Sequence, residues 1–226
     1  MPISCPICGE KKFTENFVLW PELIDAWQLS KTEAQYIDRQ QGFHCDNCKN
    51  NLRAMGLSAA ILREYSFNGL IKQFSDYHAD LAILEINRAC NLTSFLQKSP
   101  KHKLIEYPEF DMLDLDIQSE SFDLIIHSDT LEHVENPERA LAECLRILRM
   151  GGKCIFTVPI IVDRMSRSRV GLESSYHGPS DMPTNDMKVW TEFGVDVWKL
   201  ALMAGFSSCE IYAYEYPAAL ILIARK

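Results

Sequence analysis

Short apolar runs alternate with segments of helical period over the last two thirds of the chain. A run of this length between turn residues is typical of a strand that is buried on both faces. Such runs predict strands at residues 81–86, 103–107, 122–128 and 153–158, with two more at 208–215 and 219–225. Alternation of strands with helices predicts an α/β domain with a doubly wound, mostly parallel sheet.

The predicted helices lie between these runs. One begins at Asn136-Pro137, because Asn is a favoured N-cap and Pro suits the first turn, and we expect Gly151-Gly152 to end it. Shorter helices are expected at about 92–98 and 194–204, and residues 160–190 look irregular and polar.

The first fifty residues have a different pattern. Ser30 and Glu33 have capping-box spacing and Gly42 stands where that helix should stop, while Asn50 or Asn51 can cap a second helix. We therefore divide the chain into a small N-terminal segment, residues 1–51, and an α/β domain, residues 52–226. The absence of a Gly- or Ser-rich linker suggests that the two pack together.

Composition limits the function. The net charge of −8 argues against a broad nucleic-acid surface. No apolar run reaches the roughly 18 residues of a membrane span. The beginning of the chain lacks a charged and apolar leader, so we expect a cytoplasmic protein in a reducing environment. The sequence does not indicate an oligomeric state.

Two C-x2-C pairs, Cys5/Cys8 and Cys45/Cys48, are the strongest chemical feature. Four thiolates can surround one tetrahedral zinc ion, and each pair supplies two adjacent ligands. The alternatives are ordinary thiols or two disulfides, and His44 is a possible substitute ligand. Residues 9–44 separate the pairs, more than the roughly 15–20 of usual sites, so a folded insert should fill the gap.

Acidic and polar residues stand at the ends of three predicted strands: Glu85, Glu106 and His127-Ser128-Asp129. Ligands of open parallel sheets bind beyond these ends. Residues 111–123, then His127 to Val134, then Asn136 to Gly152, resemble the class I S-adenosylmethionine-dependent methyltransferases, and in particular methyltransferase type 11. The resemblance covers residues 81–159 well.

This resemblance implies S-adenosylmethionine as cofactor and a role for each matching position. Glu85 takes the place of the acid beside the methionine part, and Glu106 that of the ribose-binding acid. Asp111 and Met112 match the pair that contacts adenine, and His127 and Ser128 lie where the family's fourth strand passes the methionine end.

The sequence departs from the family in two places. The glycines that follow the first acid are replaced, with Asn87, Ala89 and Asn91 in those positions, and Asn tolerates the left-handed conformation better than most residues. In addition, only four residues separate Glu106 from Asp111, so the usual helix and third strand do not fit. Tyr107 or Phe110 could then stack on adenine.

The segment after the fourth strand should overhang the cleft. Its Arg164, Arg167 and Arg169 are either a solvated face or a clamp for an anionic acceptor, and His177 is either structural or a general base. His133 is expected to support its loop. Trp190 and Trp198 are expected in the core, as are the thiols Cys90, Cys144, Cys154 and Cys209.

The predicted reaction is methyl transfer to an oxygen, less readily a nitrogen, of a small polar metabolite or glycan building block. The alternative is a non-catalytic relative whose zinc segment binds a partner. The missing glycines favour the alternative, and the three retained acids favour the enzyme.

Overall fold

The computed structural model describes residues 4–176 and 187–226. Its strands are β1 Phe13–Glu15, β2 Phe43–Cys45, β3 Ile83–Ile86, β4 His102–Ile105, β5 Phe122–Ser128, β6 Leu148–Thr157, β7 Ile160–Ile161, β8 Arg167–Ser168, β9 Thr191–Gly194, β10 Ser208–Glu215 and β11 Ala219–Arg225. Its helices are α1 Pro21–Ala26, α2 Lys31–Gly42, α3 Leu52–Glu64, α4 Ile71–Tyr77, α5 Thr93–Leu96, α6 Pro137–Ile147 and α7 Trp198–Met203. No helix in these ranges is long and apolar enough to cross a bilayer.

A mixed sheet with helices on both faces forms the main body. Its strand order is β10-β11-β6-β5-β3-β4, with β4, β3, β5 and β6 parallel and β11 antiparallel to both neighbours. Successive residues of β5 enter opposite cores: Leu124 and Ile126 pack with α3, and Ile125 packs with α6. The predicted α/β architecture is confirmed, because strands covered on both faces must be apolar at every position.

The passage from β4 to β5 is unusually direct. Residues 106–121 form no helix or strand, and they lead from the end of β4 back to the start of β5. Phe110 and Leu113 pack onto the core below. The prediction that no helix and strand fit between Glu106 and Asp111 is confirmed.

The predicted end of α6 is wrong. The helix stops at Ile147, and Gly151 and Gly152 lie inside β6. Leu148 pairs with Phe122 and Lys153 with Leu124, so the residues between them bulge out of the ladder. Gly151 has φ of +76°, a conformation that most side chains disfavour. The glycine pair therefore forms a bulge in β6 and does not end the helix.

The segment after β6 is more ordered than predicted. Within its described part, β7, β8 and β9 form a small three-stranded sheet. Strands of two residues are too short to produce a recognisable alternation. The core of α1, Leu23 and Trp27, packs against Ile161 and Val189 of this region.

The N-terminal segment packs against the main domain, and its predicted helix caps are present. The capping box of α2 is formed by Ser30 and Glu33, and Asn51 caps α3 by accepting from the Ala54 amide at 3.0 Å. The insert between the cysteine pairs contains β1, α1, α2 and most of β2, of which only α2 was predicted. Cys5 and Cys45 belong to the same buried cluster as the central strands.

Candidate cofactor cleft and four-cysteine cluster

The two C-x2-C pairs form matching turns. The Gly9 amide donates to the Cys5 carbonyl and the Lys49 amide to the Cys45 carbonyl, each at 2.9 Å. Gly9 and Lys49, the residues after each second cysteine, have φ of +86° and +59°. A tight turn thus follows Cys8, and the second pair has the same turn without a glycine.

Strand pairing brings the two turns together. Phe13 of β1 pairs with Cys45 of β2, so the chain returns beside its own beginning. The Sγ atoms of Cys5 and Cys48 are 3.7 Å apart and those of Cys8 and Cys45 are 3.5 Å apart. All four sulfurs lie within 4.8 Å of one another.

These spacings fit a tetrahedral metal. Zinc–sulfur bonds of about 2.3 Å require sulfur–sulfur separations of about 3.8 Å. His44 is not in the cluster, since its Nδ1 lies 3.0 Å from the Gly42 carbonyl. The hydrogen bond between Cys5 and Cys48 lowers the pKa of Cys48 and raises that of Cys5, so the sulfur spacing, and not the acidity of the thiols, indicates a metal. The donor set therefore suits zinc through Cys5, Cys8, Cys45 and Cys48.

A second feature is a cleft of about 590 Å³ beyond the carboxyl ends of β3, β4 and β5. Its volume is within the usual range for a small-molecule site. Five of the predicted cofactor residues line it: Asn87, Tyr107, Asp111, Met112 and Ser128. Sequence analysis did not single out Arg88, Thr130, Glu135 or Lys188, which also line it.

The loop after β3 achieves its turn without glycine. Asn87 and Cys90 have φ of +56° and +55°. The Asn87 amide donates to the Ile105 carbonyl at 2.8 Å, and its Oδ1 accepts from the Tyr107 amide at 3.1 Å. Asn87 therefore joins the loop after β3 to the loop after β4 in a conformation that Asn tolerates.

Glu85 does not face the cleft. Its side chain is fully buried, and its carboxylate accepts from the Ala89 amide at 2.9 Å and the Thr93 hydroxyl at 2.6 Å. The other carboxylate oxygen lies 2.8 Å from His102 Nε2. The expected contact of Glu85 with the methionine part is corrected: this acid holds the loop that lines the cleft.

Glu106 and Asp111 are exposed and lie beside the cleft. Glu106 forms a forked ion pair with Arg88, with distances of 3.1 and 3.3 Å. Because the two side chains are 46% and 57% exposed, the pair contributes little stability and a ligand can displace it. Asp111 Oδ1 accepts from the Leu113 amide at 2.9 Å, which fixes the carboxylate at the cleft wall.

The two polar residues at the end of β5 differ. Ser128 lines the cleft and its hydroxyl is 2.9 Å from that of Thr157. The ring of His127 is buried in the core and stacks on Phe156. Neither ring nitrogen has a partner within the described chain, and burial lowers the pKa of His127 to about 3. His127 is therefore a neutral core residue, which corrects its assignment to the cofactor.

Asp129 directly follows β5 and lines the cleft with φ of +45°. Its carboxylate is held from the N-terminal segment: Gln41 Nε2 donates at 2.8 Å, and Arg53 forms a buried ion pair with it. Thr157 donates to the second oxygen at 3.1 Å. Sequence analysis noted Asp129 but missed Gln41 and Arg53, because no local pattern links residues so far apart in the chain.

The arginines of the overhanging segment bind acids of this chain. Arg164 pairs with Glu33, while Arg167 and Arg169 both pair with Glu192. These contacts tie the segment to α2 and β9. The expectation that the arginines clamp an anionic acceptor thus loses its basis. His177 lies outside the described residues.

Trp190 is half-buried at the cleft, which corrects its assignment to the core. Lys188 Nζ lies 3.6 Å from the centre of its ring. His133 Nδ1 lies 3.1 Å from the Lys188 carbonyl, an acceptor, so this nitrogen donates. His133 thus supports its loop, as predicted. Trp198 packs on the core, as do Cys144 and Cys154, whereas Cys90 is half-buried and accepts from Arg53 at 3.1 Å.

Residues 69–156 match the family model described as a methyltransferase domain, Methyltransf_11. The matched range includes β3, β4 and β5, whose ends form the cleft, and nearly all of β6. This match supports the prediction of an enzyme, an S-adenosylmethionine-dependent methyltransferase. No curated protein sequence matches the chain.

The chain is similar to several solved structures. One is a possible histamine N-methyltransferase from Thermotoga maritima, with 16% identity, a TM-score of 0.38, and coverage of 75% of this chain and 98% of that chain. Another is 1,6-didemethyltoxoflavin-N1-methyltransferase from Burkholderia thailandensis, with 14% identity, a TM-score of 0.45, and coverage of 94% and 93%. A putative O-methyltransferase from Nostoc punctiforme has 11% identity, a TM-score of 0.45, and coverage of 92% and 69%.

Proposed function

We propose that the protein transfers a methyl group from S-adenosylmethionine to a small polar metabolite or glycan building block, at an oxygen in preference to a nitrogen. The observation that carries this proposal is the coincidence of the methyltransferase match, residues 69–156, with the strands whose ends build the cleft. The position of Asp111 and Met112 in the cleft wall adds support.

Each proposed contact uses a group that the cleft presents. Asp111 accepts from the exocyclic amine of adenine, Met112 packs on the ring, and Glu106 accepts from the ribose hydroxyls after releasing Arg88. Ser128 and the Asn87 loop border the methionine end. The bound cofactor supplies an electrophilic methyl on its sulfonium. The protein then aligns the acceptor and excludes water.

His177 remains the proposed general base. If it removes a proton from the acceptor, His177→Ala should lower turnover by roughly 10²–10⁴-fold with nearly unchanged cofactor affinity. Equal turnover of the variant and the wild type would assign the rate to alignment alone.

A methyl-transfer screen tests the reaction. Labelled S-adenosylmethionine is incubated with the protein and a library of hydroxylated and amino metabolites, with Asp111→Ala as the matched control. The proposal predicts label transfer to one acceptor class, reduced in the control at sub-saturating cofactor. Protein that neither binds the cofactor nor transfers label to any acceptor would instead favour the non-catalytic alternative.

The non-catalytic alternative has one observation in its favour. The loop after β3 has no glycine, and Asn87 occupies one of its two positive-φ positions with a side chain at the cleft. In that case the zinc segment would bind a partner and the cleft would be vestigial. Absence of cofactor binding by the wild-type protein is its distinguishing result.

We propose that the four-cysteine cluster binds one zinc ion and stabilises the N-terminal segment. Metal analysis of freshly reduced protein should find about one equivalent, and Cys45→Ser should lose it with a lower melting temperature. Cys209→Ser, outside the cluster, is the control. Metal-free wild-type protein would refute the assignment.

A further inference from the structure

The four-cysteine segment is connected to both loops that border the cleft. Four residues separate Cys48 from Arg53, and one of them, Asn51, is the N-cap of α3. Asn50 accepts from the Cys45 amide at 3.0 Å, and Asn51 begins α3. The fold thus places Arg53 in the first turn of a helix whose start is fixed by the second cysteine turn.

Arg53 holds both loops with one guanidinium group. One terminal nitrogen pairs with Asp129, after β5, and the other donates to Cys90 Sγ, after β3, at 3.1 Å. The side chains of Arg53 and Asp129 are 11% and 7% exposed, so water screens their attraction little. A planar fork suits this double contact, which a lysine cannot make.

Three further hydrogen bonds follow the same route. Gln41, at the end of α2, donates to Asp129 and accepts from Asn51 Nδ2 at 3.2 Å. Asn91 Nδ2, in the loop after β3, lies 3.3 Å from the Cys48 carbonyl. The second cysteine turn thus reaches the loop after β3 directly and the loop after β5 through Gln41 and Arg53.

We infer that Arg53 and Gln41 are positioning residues that transmit the metal state of the four-cysteine cluster to the cofactor cleft. Metal binding orders the turn, the turn fixes α3 and the end of α2, and these fix the loops at Asn87 and Asp129. Loss of the metal therefore weakens cofactor binding at a distance. The inference rests on the proposed function for its ligand, although the coupling between loops and metal does not.

The test is a thermodynamic cycle that combines removal of the metal with removal of the Arg53–Asp129 ion pair. Arg53→Met alone leaves the buried Asp129 carboxylate without a counter-charge, which destabilises a fold strongly. The double variant Arg53→Met/Asp129→Asn removes both charges together. Arg63→Met is the matched control, because Arg63 lies on the same helix and pairs with Glu210 on β10, away from the cleft.

Two readouts are compared in holoprotein and after chelation, below the melting temperature of the metal-free form. They are the Kd for S-adenosylhomocysteine and amide hydrogen exchange of residues 87–93 and 129–134. Chelation of the wild type should weaken binding by roughly 5- to 150-fold, the usual range of coupling between sites, and should speed exchange in both loops. Residues 208–225 should not change.

The double variant should keep its metal but show the weakened binding and faster exchange already in holoprotein. Chelation should then add less than it does in the wild type. In Arg53→Lys, the lysine can pair with Asp129 but cannot also reach Cys90. Amide exchange of residues 129–134 should therefore be as slow as in the wild type, and exchange of residues 87–93 should be as fast as in the double variant. A merely structural role for Arg53 would not separate the two loops in this way.

The outcomes are distinct. Unchanged affinity and unchanged exchange after chelation, or strictly additive effects in the cycle, overturn the inference and leave the proposed function intact. If the wild type does not bind S-adenosylhomocysteine, the proposed function fails, and exchange alone decides the coupling. Faster exchange in both loops supports the coupling, and unchanged exchange overturns it.

Discussion

The floor and the rim of the cleft use acidic residues in opposite ways. At the floor, the side chain of Asp129 is buried, and that of Glu85 lies in the core beneath it; protein groups already bind both carboxylates. At the rim, Glu106 and Asp111 are exposed. Glu106 has one weak ion pair, with Arg88, and Asp111 accepts one hydrogen bond from a backbone amide. Buried carboxylates whose oxygens are taken serve the framework, and exposed ones remain available to a ligand.

The largest expected effect is on the floor. Glu85→Ala should lower the free energy of unfolding by about 3 kcal/mol or more, because it leaves buried donors unpaired at about 1–3 kcal/mol each. Urea denaturation measures this loss. Glu85→Gln keeps an acceptor and should lose much less. If Glu85→Ala kept its stability but lost cofactor binding, Glu85 would be a ligand-binding residue like Glu106 and Asp111.

A second floor prediction concerns pH. The pKa of His127 is lowered to about 3 by burial, so the unfolded state binds a proton first as the pH falls. The contribution of the neutral His127 ring to the free energy of unfolding is complete above about pH 6.5, and it is lost as the pH falls from there toward 3. At pH 5 the loss should be about 2 kcal/mol, from about 1.4 kcal/mol per unit.

The control for this pH effect is His127→Leu, a similar volume without a titrating ring. Its unfolding free energy should decline less than that of the wild type between pH 7 and pH 5. Parallel declines in the two proteins would show that other groups carry the acid sensitivity.

Substitutions at the rim should change the affinity for S-adenosylhomocysteine and leave the free energy of unfolding nearly unchanged. Asp111→Ala should weaken S-adenosylhomocysteine binding about tenfold, or about 1.4 kcal/mol, because the adenine amine loses its acceptor. Stability should change by less than about 0.5 kcal/mol, as for other surface positions. Asp114→Ala, a neighbouring exposed acid, is the control. Equal affinities in the two variants would remove Asp111 from the site.

The smallest effect should come from Arg88. Its exposed ion pair competes with a ribose for Glu106, so Arg88→Met should tighten S-adenosylhomocysteine binding by a few tenths of a kcal/mol, whereas Glu106→Ala should weaken it. Lys101→Met, which removes an exposed pair with Asp80, should have no effect. Weaker binding in Arg88→Met would mean that this arginine contacts the ligand itself.

Sequence analysis predicted the framework well where local chemistry determines it. The N-caps Ser30, Asn51 and Asn136 and the cysteine turns depend on near neighbours, so their patterns are visible in the chain. The missing unit after β4 followed from the short spacing of Glu106 and Asp111. The resemblance also gave Asp111, Met112 and Ser128, and the departures from the family pattern gave Asn87 and Tyr107; all five line the cleft.

The predictions that were wrong or missing concern the direction in which a side chain points and the contacts between residues far apart in the chain. A strand-end position does not reveal whether a side chain enters the core, as His127 does, or the cleft, as Ser128 does. The arginines of the overhanging segment looked free because Glu33 and Glu192 are remote in sequence. The anchoring of Asp129 by Arg53 and Gln41 also depends on contacts that only the fold creates.

Isothermal titration of the zinc-loaded wild-type protein with S-adenosylhomocysteine tests the central claim most directly. The account predicts saturable one-to-one binding in the micromolar to sub-millimolar range, typical of enzyme sites. Asp111→Ala should reduce the affinity, and Asp114→Ala should not. No measurable heat at millimolar ligand, from protein shown to be folded, would contradict the account.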